Sequence, residues 1–291
     1  MTAAVTTGEF SGRSRAGLSA PLRRTGPLGM GCAAVIAVAA TLAVVGPWIA
    51  PHNPETARGA DSWVGSVPGH LLGFDAVGRD LLSRLLAGAR TSMVGPLVVV
   101  LASVVIGTSI ATVSAWRGGR VDTVISSIID VVFAFPGILL AILATTVLGV
   151  GLSAAVVALA IAYIPFLARV LRSAALVERG LPYVAALEVQ GVSSFTICVR
   201  HIIPNLAPIV VAQATTIFGY AMVDLAAISF LGLGVQPPTP DWGVMVNENQ
   251  SGVLQGYFQP SLMAGLCIVV VVVAFNILGE RLYEQAEKRS R

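Results

Sequence analysis

Lysine is almost absent from this 291-residue chain: Lys288 is the single example, and every other basic residue is an arginine or histidine. A phosphate-binding loop of the form GxxxxGK[ST] needs a lysine behind its glycines. Lys288 follows Glu287, so nucleotide hydrolysis by that route is excluded. Histidine is equally sparse. His52, His70 and His201 show no HExxH or Cys/His spacing, so the sequence proposes no metal ligands. No Ser/His/Asp set stands out by spacing either. Cys32, Cys198 and Cys267 fall in two apolar runs and one polar segment, which reads as packing and not as a disulfide framework. The net charge of +3 comes without a basic patch interleaved with aromatics, so nucleic acid is not an expected partner. No catalytic residue is expected in this chain.

Charge of either sign is also scarce. Only 11% of residues are charged against 55% hydrophobic, and the mean hydropathy is +0.83. A soluble fold could not hide that much apolar side chain, so the expected class is all-α, a polytopic membrane helix bundle. A hydrocarbon core needs about 20 apolar residues per spanning helix. Six runs qualify: Leu28 to Ile49, Val94 to Ala115, Val131 to Leu148, Ala154 to Leu171, Leu206 to Phe230 and Ser261 to Leu278. The first lies behind a polar tail and continues for a full membrane thickness, so it reads as a retained helix and not as a cleavable signal.

Six spans put both termini on one side. The tails carry Arg13, Arg15, Arg23, Arg24, Arg281, Lys288, Arg289 and Arg291. The same side receives Arg117, Arg120, Arg169, Arg172, Arg179 and Arg200, while the opposite side has only Arg58, Arg79, Arg84 and Arg90. Basic residues collect on the cytoplasmic side, so both termini are expected there. The chain then divides into a flexible cytoplasmic tail at 1–27, a first helix at 28–50, an external amphipathic segment at 51–92, a five-helix core at 93–280 and a cytoplasmic tail at 281–291.

The external segment contains LLGFDAVGRDLLSRLLAGART. Its leucines alternate with Asp75, Arg79, Asp80 and Arg84, which predicts an amphipathic helix at the outer surface, with Asp80 and Arg84 placed to pair four residues apart. Such a helix is either simply solvated or a contact for a partner. Pro136 and Gly137 interrupt the third run, as a kink or as the wall of a cavity. In the fifth run Asp224 has no charged neighbour in sequence and either lines a polar path or is hydrogen-bonded within the bundle. Behind that run, SFLGLGVQPPTPDWG reads as a stiff external turn cluster including Gln236, Asp241 and Trp242.

The segment at 181–205 differs from everything around it, being polar and helix-patterned between two apolar runs. Pro182 suits a first helical turn and Gly191 a helix stop. Ser193 or Ser194 can cap a second helix, in which Phe195, Val199, Ile202 and Ile203 recur on one face while Thr196 and Arg200 point elsewhere. Pro204 and Pro208 mark the bend into the next run. This helix, glycine break and helix suit either a groove in a soluble partner or the lipid headgroups.

These residues resemble a family. FDAVGRDLLSRLLAGARTS at Phe74 to Ser92, the run from Gly118 through VDTVISSIIDVVFAFP to Pro136, SFLGLGVQPPTPDWG at Ser229 to Gly243 and AFNILGERL at Ala274 to Leu282 are together similar to the inner-membrane permease subunits of bacterial ABC importers for dipeptides, oligopeptides and nickel. The likeness is closest to the C component of the oligopeptide permeases and runs from about Leu71 to Leu282. It implies the type I ABC importer permease fold in the bacterial plasma membrane, with a second homologous permease subunit, cytoplasmic ABC ATPases, an extracytoplasmic peptide-binding protein, a peptide substrate and membrane lipid as partners. ATP and Mg would be bound by the partner ATPase, with no cofactor in this chain. The segment at 181–205 then resembles the family's cytoplasmic coupling loop, with Tyr183, Ala185, Ala186, Glu188, Gly191, Ser194, Arg200, His201 and Pro204 at the docking surface. The family's Glu-Ala-Ala after Tyr-Val is replaced here by Ala185, Ala186 and Leu187, with the acid at Glu188. In the fifth run the family's acid position is Leu225, and the carboxylate stands one residue earlier at Asp224. Asp224 and Pro136 are the candidates for a substrate path. Asp75, Arg79, Asp80, Arg84, Gln236, Asp241 and Trp242 are the candidates for contact with the binding protein.

Overall fold

The computed structural model describes residues 26–290, and the elements over that range are helical. The tail expected at 1–27 therefore lies outside the described residues except for its last two, which open the first helix. Five helices are long and apolar enough to cross a membrane: α1 (Gly26–Ile49), α2 (Leu81–Arg117), α5 (Leu152–Arg179), α8 (Ile203–Phe230) and α11 (Gln259–Ser290). Between them lie α3 (Gly119–Phe133), α4 (Gly137–Leu148), α6 (Pro182–Val189), α7 (Ser194–Ile197), α9 (Trp242–Glu248) and α10 (Gln250–Leu254). The tail expected at 281–291 is the continuation of α11 through Ser290.

The bundle is organised around α2, which packs on α1, α5 and α8, while α8 packs on α11. Leu85, Met93 and Val100 of α2 meet Leu167 and Leu171 of α5 and Ile217, Phe218 and Met222 of α8 in the central core. α1 is peripheral. Only 17% of its most apolar stretch is buried, against 56% for α5, so most of its side chains face where lipid would lie. The apolar residues exposed along the helices, such as Val38, Val44, Val105, Val269 and Val273, are the expected surface of a bundle solvated by hydrocarbon.

The architecture contains the interruption expected at Pro136 and corrects one boundary. The third run is bent there, and the described residues hold six candidate spans when the bent pair counts as one. α3 and α4 meet at an angle of 81° across Ala134–Pro136. Pro136 has no N–H to continue the helix and stands at the N-cap of α4 with an extended ψ of 129°. The second span starts well before the apolar run at Val94, because α2 already begins at Leu81. At 37 residues and 1.5 Å per residue it is roughly 55 Å long, more than the hydrocarbon thickness, so its ends extend beyond the apolar layer. Asp80 caps its first turn by accepting from the Ser83 N–H.

The two ends of α2 carry different structures. At its start sits a layer of turns from residues 50–80 and 231–258, held by isolated bridges between Val67 and His70 and between Phe74 and Asp80. At its end, Ala115 packs with Ala175 of α5 and with Val184, Ile197, Ile202 and Leu206. These hold the short helices α6 and α7 against the bundle.

Candidate functional site

The short paired helices form as the residues require. Pro182 is at the start of α6 and Ser193 caps α7, its hydroxyl accepting from the Thr196 N–H. Between them Gly191 has a φ of +75°, which only glycine adopts without strain. The Val192 N–H returns to Leu187 O at 3.1 Å and the Gly191 N–H to Glu188 O at 3.0 Å, the paired hydrogen bonds of a glycine-terminated helix. Ala185, Ala186, Glu188, Gly191, Ser194, Arg200 and Pro204 are exposed, while Tyr183 and His201 are half-buried. Val189, at 89% exposure, and Phe195, at 77%, present bare apolar side chains beside them.

Of the apolar face expected at Phe195, Val199, Ile202 and Ile203 for a groove or for lipid, Phe195 and Val199 are exposed, Ile203 is half-buried and Ile202 is buried. Residues Cys198–Ile202 form a π-helical turn, whose wider winding puts residues five apart on one side. Ile197 and Ile202 therefore share the buried face with Leu206, and Phe195 and Val199 turn outward. Sequence patterning also missed Glu178. Its carboxylate accepts from the Tyr183 hydroxyl and from Asn205 Nδ2, each at 2.6 Å, and so ties α5, α6 and α8 together. Burial, and next the bond to Glu178, pushes the Tyr183 phenol up to about 12. Arg179 anchors the same corner by donating to Ala115 O at 2.6 Å and lying 5.0 Å over the Trp116 ring.

Asp224 and Pro136, 88 residues apart in sequence, line one cavity of about 310 Å³ together with Phe133, Phe135, Tyr163 and Tyr220. The Tyr163 hydroxyl donates to Asp224 Oδ2 at 2.7 Å, which leaves the other carboxylate oxygen available to the cavity. Leu225, by contrast, is buried at 5% exposure in a cluster with Val99 and Val156. A one-residue step turns a helix by about 100°, and here it separates a cavity wall from the core. Tyr163 and Tyr220 gave no sequence signal, because a lone tyrosine in an apolar helix looks like packing.

The turn layer overturns the reading of Asp75 to Arg84 as a surface helix. Residues 75–79 form a turn, and the side chains of Asp75, Arg79, Asp80 and Arg84 are at most 4% exposed. Glu248, which the sequence did not single out, accepts from Arg79 Nη2 at 2.8 Å and from Arg84 Nη2 at 2.7 Å. Asp75 Oδ2 accepts from Arg79 Nε at 2.7 Å, with Arg84 Nε 3.4 Å away, and its other oxygen accepts from the Val77 and Arg79 N–H groups. Two carboxylates thus balance two guanidiniums out of water. Asp80 does not pair with Arg84; it accepts from His70 at 2.8 Å and from Ser83. Burial alone would push the Asp80 carboxyl up, but the Ser83 and His70 hydrogen bonds hold it below its ordinary value. Asp241 accepts from Ser92 at 2.7 Å and from two N–H groups at the start of α9, and Trp242 donates to Leu85 O at 3.0 Å. Both are 4% exposed. Of the residues expected to touch a binding protein, only Gln236 lies on the surface; the others are the interior of the layer, where Asp75 and Glu248 pair with Arg79 and Arg84 in one network while Asp241 and Trp242 are held by hydrogen bonds to α2 and to the start of α9.

Comparison with known proteins accords with this geometry. The profile of the family described as "Binding-protein-dependent transport system inner membrane component" matches residues 63–291. The chain is 39% identical over 220 residues to the glutathione transport system permease protein GsiD of Pectobacterium atrosepticum, covering 76% of this chain and 73% of that one. It is 36% identical over 261 residues to the dipeptide transport system permease protein DppC of Haemophilus influenzae, covering 87% and 88%. Among solved structures, an inward-facing MetNI methionine ABC transporter matches 70% of this chain and 96% of that one with a TM-score of 0.57 at 19% identity, which shows a common fold.

Proposed function

Because the chain belongs to the family of binding-protein-dependent transport system inner membrane components, that is, to the permease subunits of ABC importers, we propose that it forms half of a translocation path for peptides delivered by an extracytoplasmic binding protein. In this reading α6 and α7 face the cytoplasm with both termini, and the turn layer faces outward. A cytoplasmic ATPase receives α6 in a groove. Ala185, Ala186, Val189 and Phe195 supply apolar contact, while Glu188 and Arg200 supply charge at the rim. ATP and Mg act in that partner, and its closure is transmitted through Glu178, Arg179 and the buried Ile197 to α5 and α2, as a rigid-body shift of packed helices. The supporting observation is the pair of short helices that is anchored on one side and bare on the other.

The path itself runs by the Asp224 cavity. A carboxylate held by one tyrosine among aromatic walls suits the ammonium group of a peptide, by charge and by ring faces. The apolar surfaces of α3 and α4, including Val124, Ile128, Val131, Leu139 and Leu143, are the face offered to a second permease subunit. Contact with the binding protein falls to the exposed residues of the turn layer, where Trp63, Tyr257 and Phe258 border an open cleft of about 520 Å³.

Cross-linking tests the docking. A cysteine at Ser194, in a chain whose own cysteines are replaced, is expected to capture the ATPase in membranes that hold the assembled transporter. Capture of lipid alone would sink the assignment of this face. For the cargo, binding-protein-dependent uptake of labelled dipeptides, longer peptides and glutathione into vesicles is expected to need ATP inside.

A further inference from the structure

Two of the three histidines in the chain meet at one carboxylate. His70 Nδ1 lies 2.8 Å from Asp80 Oδ1, and His52 Nδ1 lies 3.8 Å from Asp80 Oδ2. One ligand atom from each of the three residues lies within 4.8 Å of the others. The two imidazoles stack with centroids 4.2 Å apart. Capping of α2 accounts for Asp80, and the bond to Asp80 accounts for His70, but neither accounts for His52. Its Nδ1 is buried without a hydrogen-bond partner among the described residues, a state that costs free energy unless something else occupies the lone pair.

The surroundings are those of an oriented ligand set. Ser83 donates to Asp80 Oδ2 from its N–H at 2.8 Å and from its hydroxyl at 2.6 Å. The same hydroxyl accepts the His52 backbone N–H at 3.0 Å. One serine therefore fixes both the carboxylate and the backbone of the free imidazole, which is the role of an outer-shell partner at a metal centre.

We propose that His52, His70 and Asp80 bind a divalent transition-metal ion of the zinc type in the turn layer, with water completing the coordination. Two imidazole nitrogens and one carboxylate oxygen suit zinc and its neighbours, whereas calcium and magnesium take oxygen ligands. Bonds of about 2.0–2.2 Å set ligand atoms of a tetrahedron roughly 3.4 Å apart; His70 and His52 approach different oxygens of Asp80, at 2.8 and 3.8 Å, and one ligand atom of each residue lies within 4.8 Å of the others, so binding draws the three together. Binding replaces the proton shared by His70 and Asp80 and splays the two rings. His52 can make that movement, since its side chain is 35% exposed on the turn after α1. The ion then ties three segments together: the end of α1, the turn at Val67–His70 and the start of α2. The site is apart from the Asp224 cavity and does not depend on the cargo.

The test is a zinc titration of the full-length, tag-free chain in detergent by calorimetry, with cobalt absorption as a second probe. Wild type and His201→Gln are expected to bind one equivalent, with tetrahedral cobalt bands. His52→Gln and His70→Gln are expected to weaken binding at least tenfold and to lose those bands. His52→Gln is the decisive variant, because the imidazole it removes makes no hydrogen bond and only stacks on His70, so the metal-free protein should lose little thermal stability. Absence of stoichiometric zinc binding by the wild type, or equal affinity in His52→Gln, overturns the site.

Discussion

The two ends of α2 solve opposite problems with residues that look alike in sequence. In the turn layer, Asp75, Arg79, Arg84 and Glu248 are turned inward and pair with one another. At the other end, the charged Glu188 and Arg200 and the apolar Val189 and Phe195 are turned outward and are exposed among the described residues. The first arrangement makes a rigid lid over the helix start, since a buried ion network that loses one member leaves an uncompensated charge. The second leaves a surface incomplete, as a contact with another protein requires. Polarity alone therefore does not distinguish an interface from an interior.

The sharpest way to break this contrast is to remove one charge from each end. Arg84→Ala leaves Glu248 and Asp75 facing a void at a site that is 0% exposed. It is expected to cost about 3–5 kcal/mol, seen as a large drop in thermal stability in detergent and in membrane abundance. Arg200→Ala is expected to leave both unchanged. Equal melting of the two variants would mean that the turn-layer network carries no stability.

Next in size is Gly191→Val. No atom stands within 4 Å of the position where a Cβ would be added, so the variant meets no clash and only the backbone at φ +75° is strained, by about 1–3 kcal/mol. Peptide uptake is expected to fall several-fold while the protein stays in the membrane at normal level. Unchanged uptake would separate the turn from coupling.

Asp224→Asn asks whether the cavity carries more than packing. The amide keeps the bond from Tyr163, so stability should hold, while uptake is expected to drop by roughly tenfold through loss of about 1.4 kcal/mol of charge attraction to the cargo. An uptake rate equal to wild type would leave Asp224 a structural partner of Tyr163. The smallest effect concerns Tyr183, whose phenol is raised from 10.0 to about 12. A raised folded value favours the neutral phenol, so its contribution is present below pH 10 and is lost as pH rises towards 12. The difference in melting temperature between wild type and Tyr183→Phe should therefore shrink over that window. A gap that does not change with pH would place Tyr183 outside the hydrogen-bonded corner.

How much of this was legible in the chain depends on the range of the interaction. The apolar runs at Ala154 to Leu171 and Leu206 to Phe230 lie inside α5 and α8, because a spanning helix is a local requirement of hydrocarbon. Pro182 and Gly191 marked the limits of α6, because the backbone preferences of proline and glycine are equally local. The start of α2 at Leu81 was hidden, since Arg84 counts against a buried helix until Glu248, 164 residues away, is seen to hold it. The π-helical turn at Cys198–Ile202 was hidden too, because a period of 3.6 misassigns every face that follows a wider turn.

By itself, then, the sequence determined that this is a multi-helix membrane protein with a polar, glycine-broken segment between two spans, because hydropathy, proline and glycine act on their immediate neighbours. Only the tertiary structure decided which charges are interior, which apolar side chains are left bare, and that Asp224 shares a cavity with Pro136. Those outcomes depend on partners brought together from distant parts of the chain by the packing of whole helices, and no local pattern encodes the meeting.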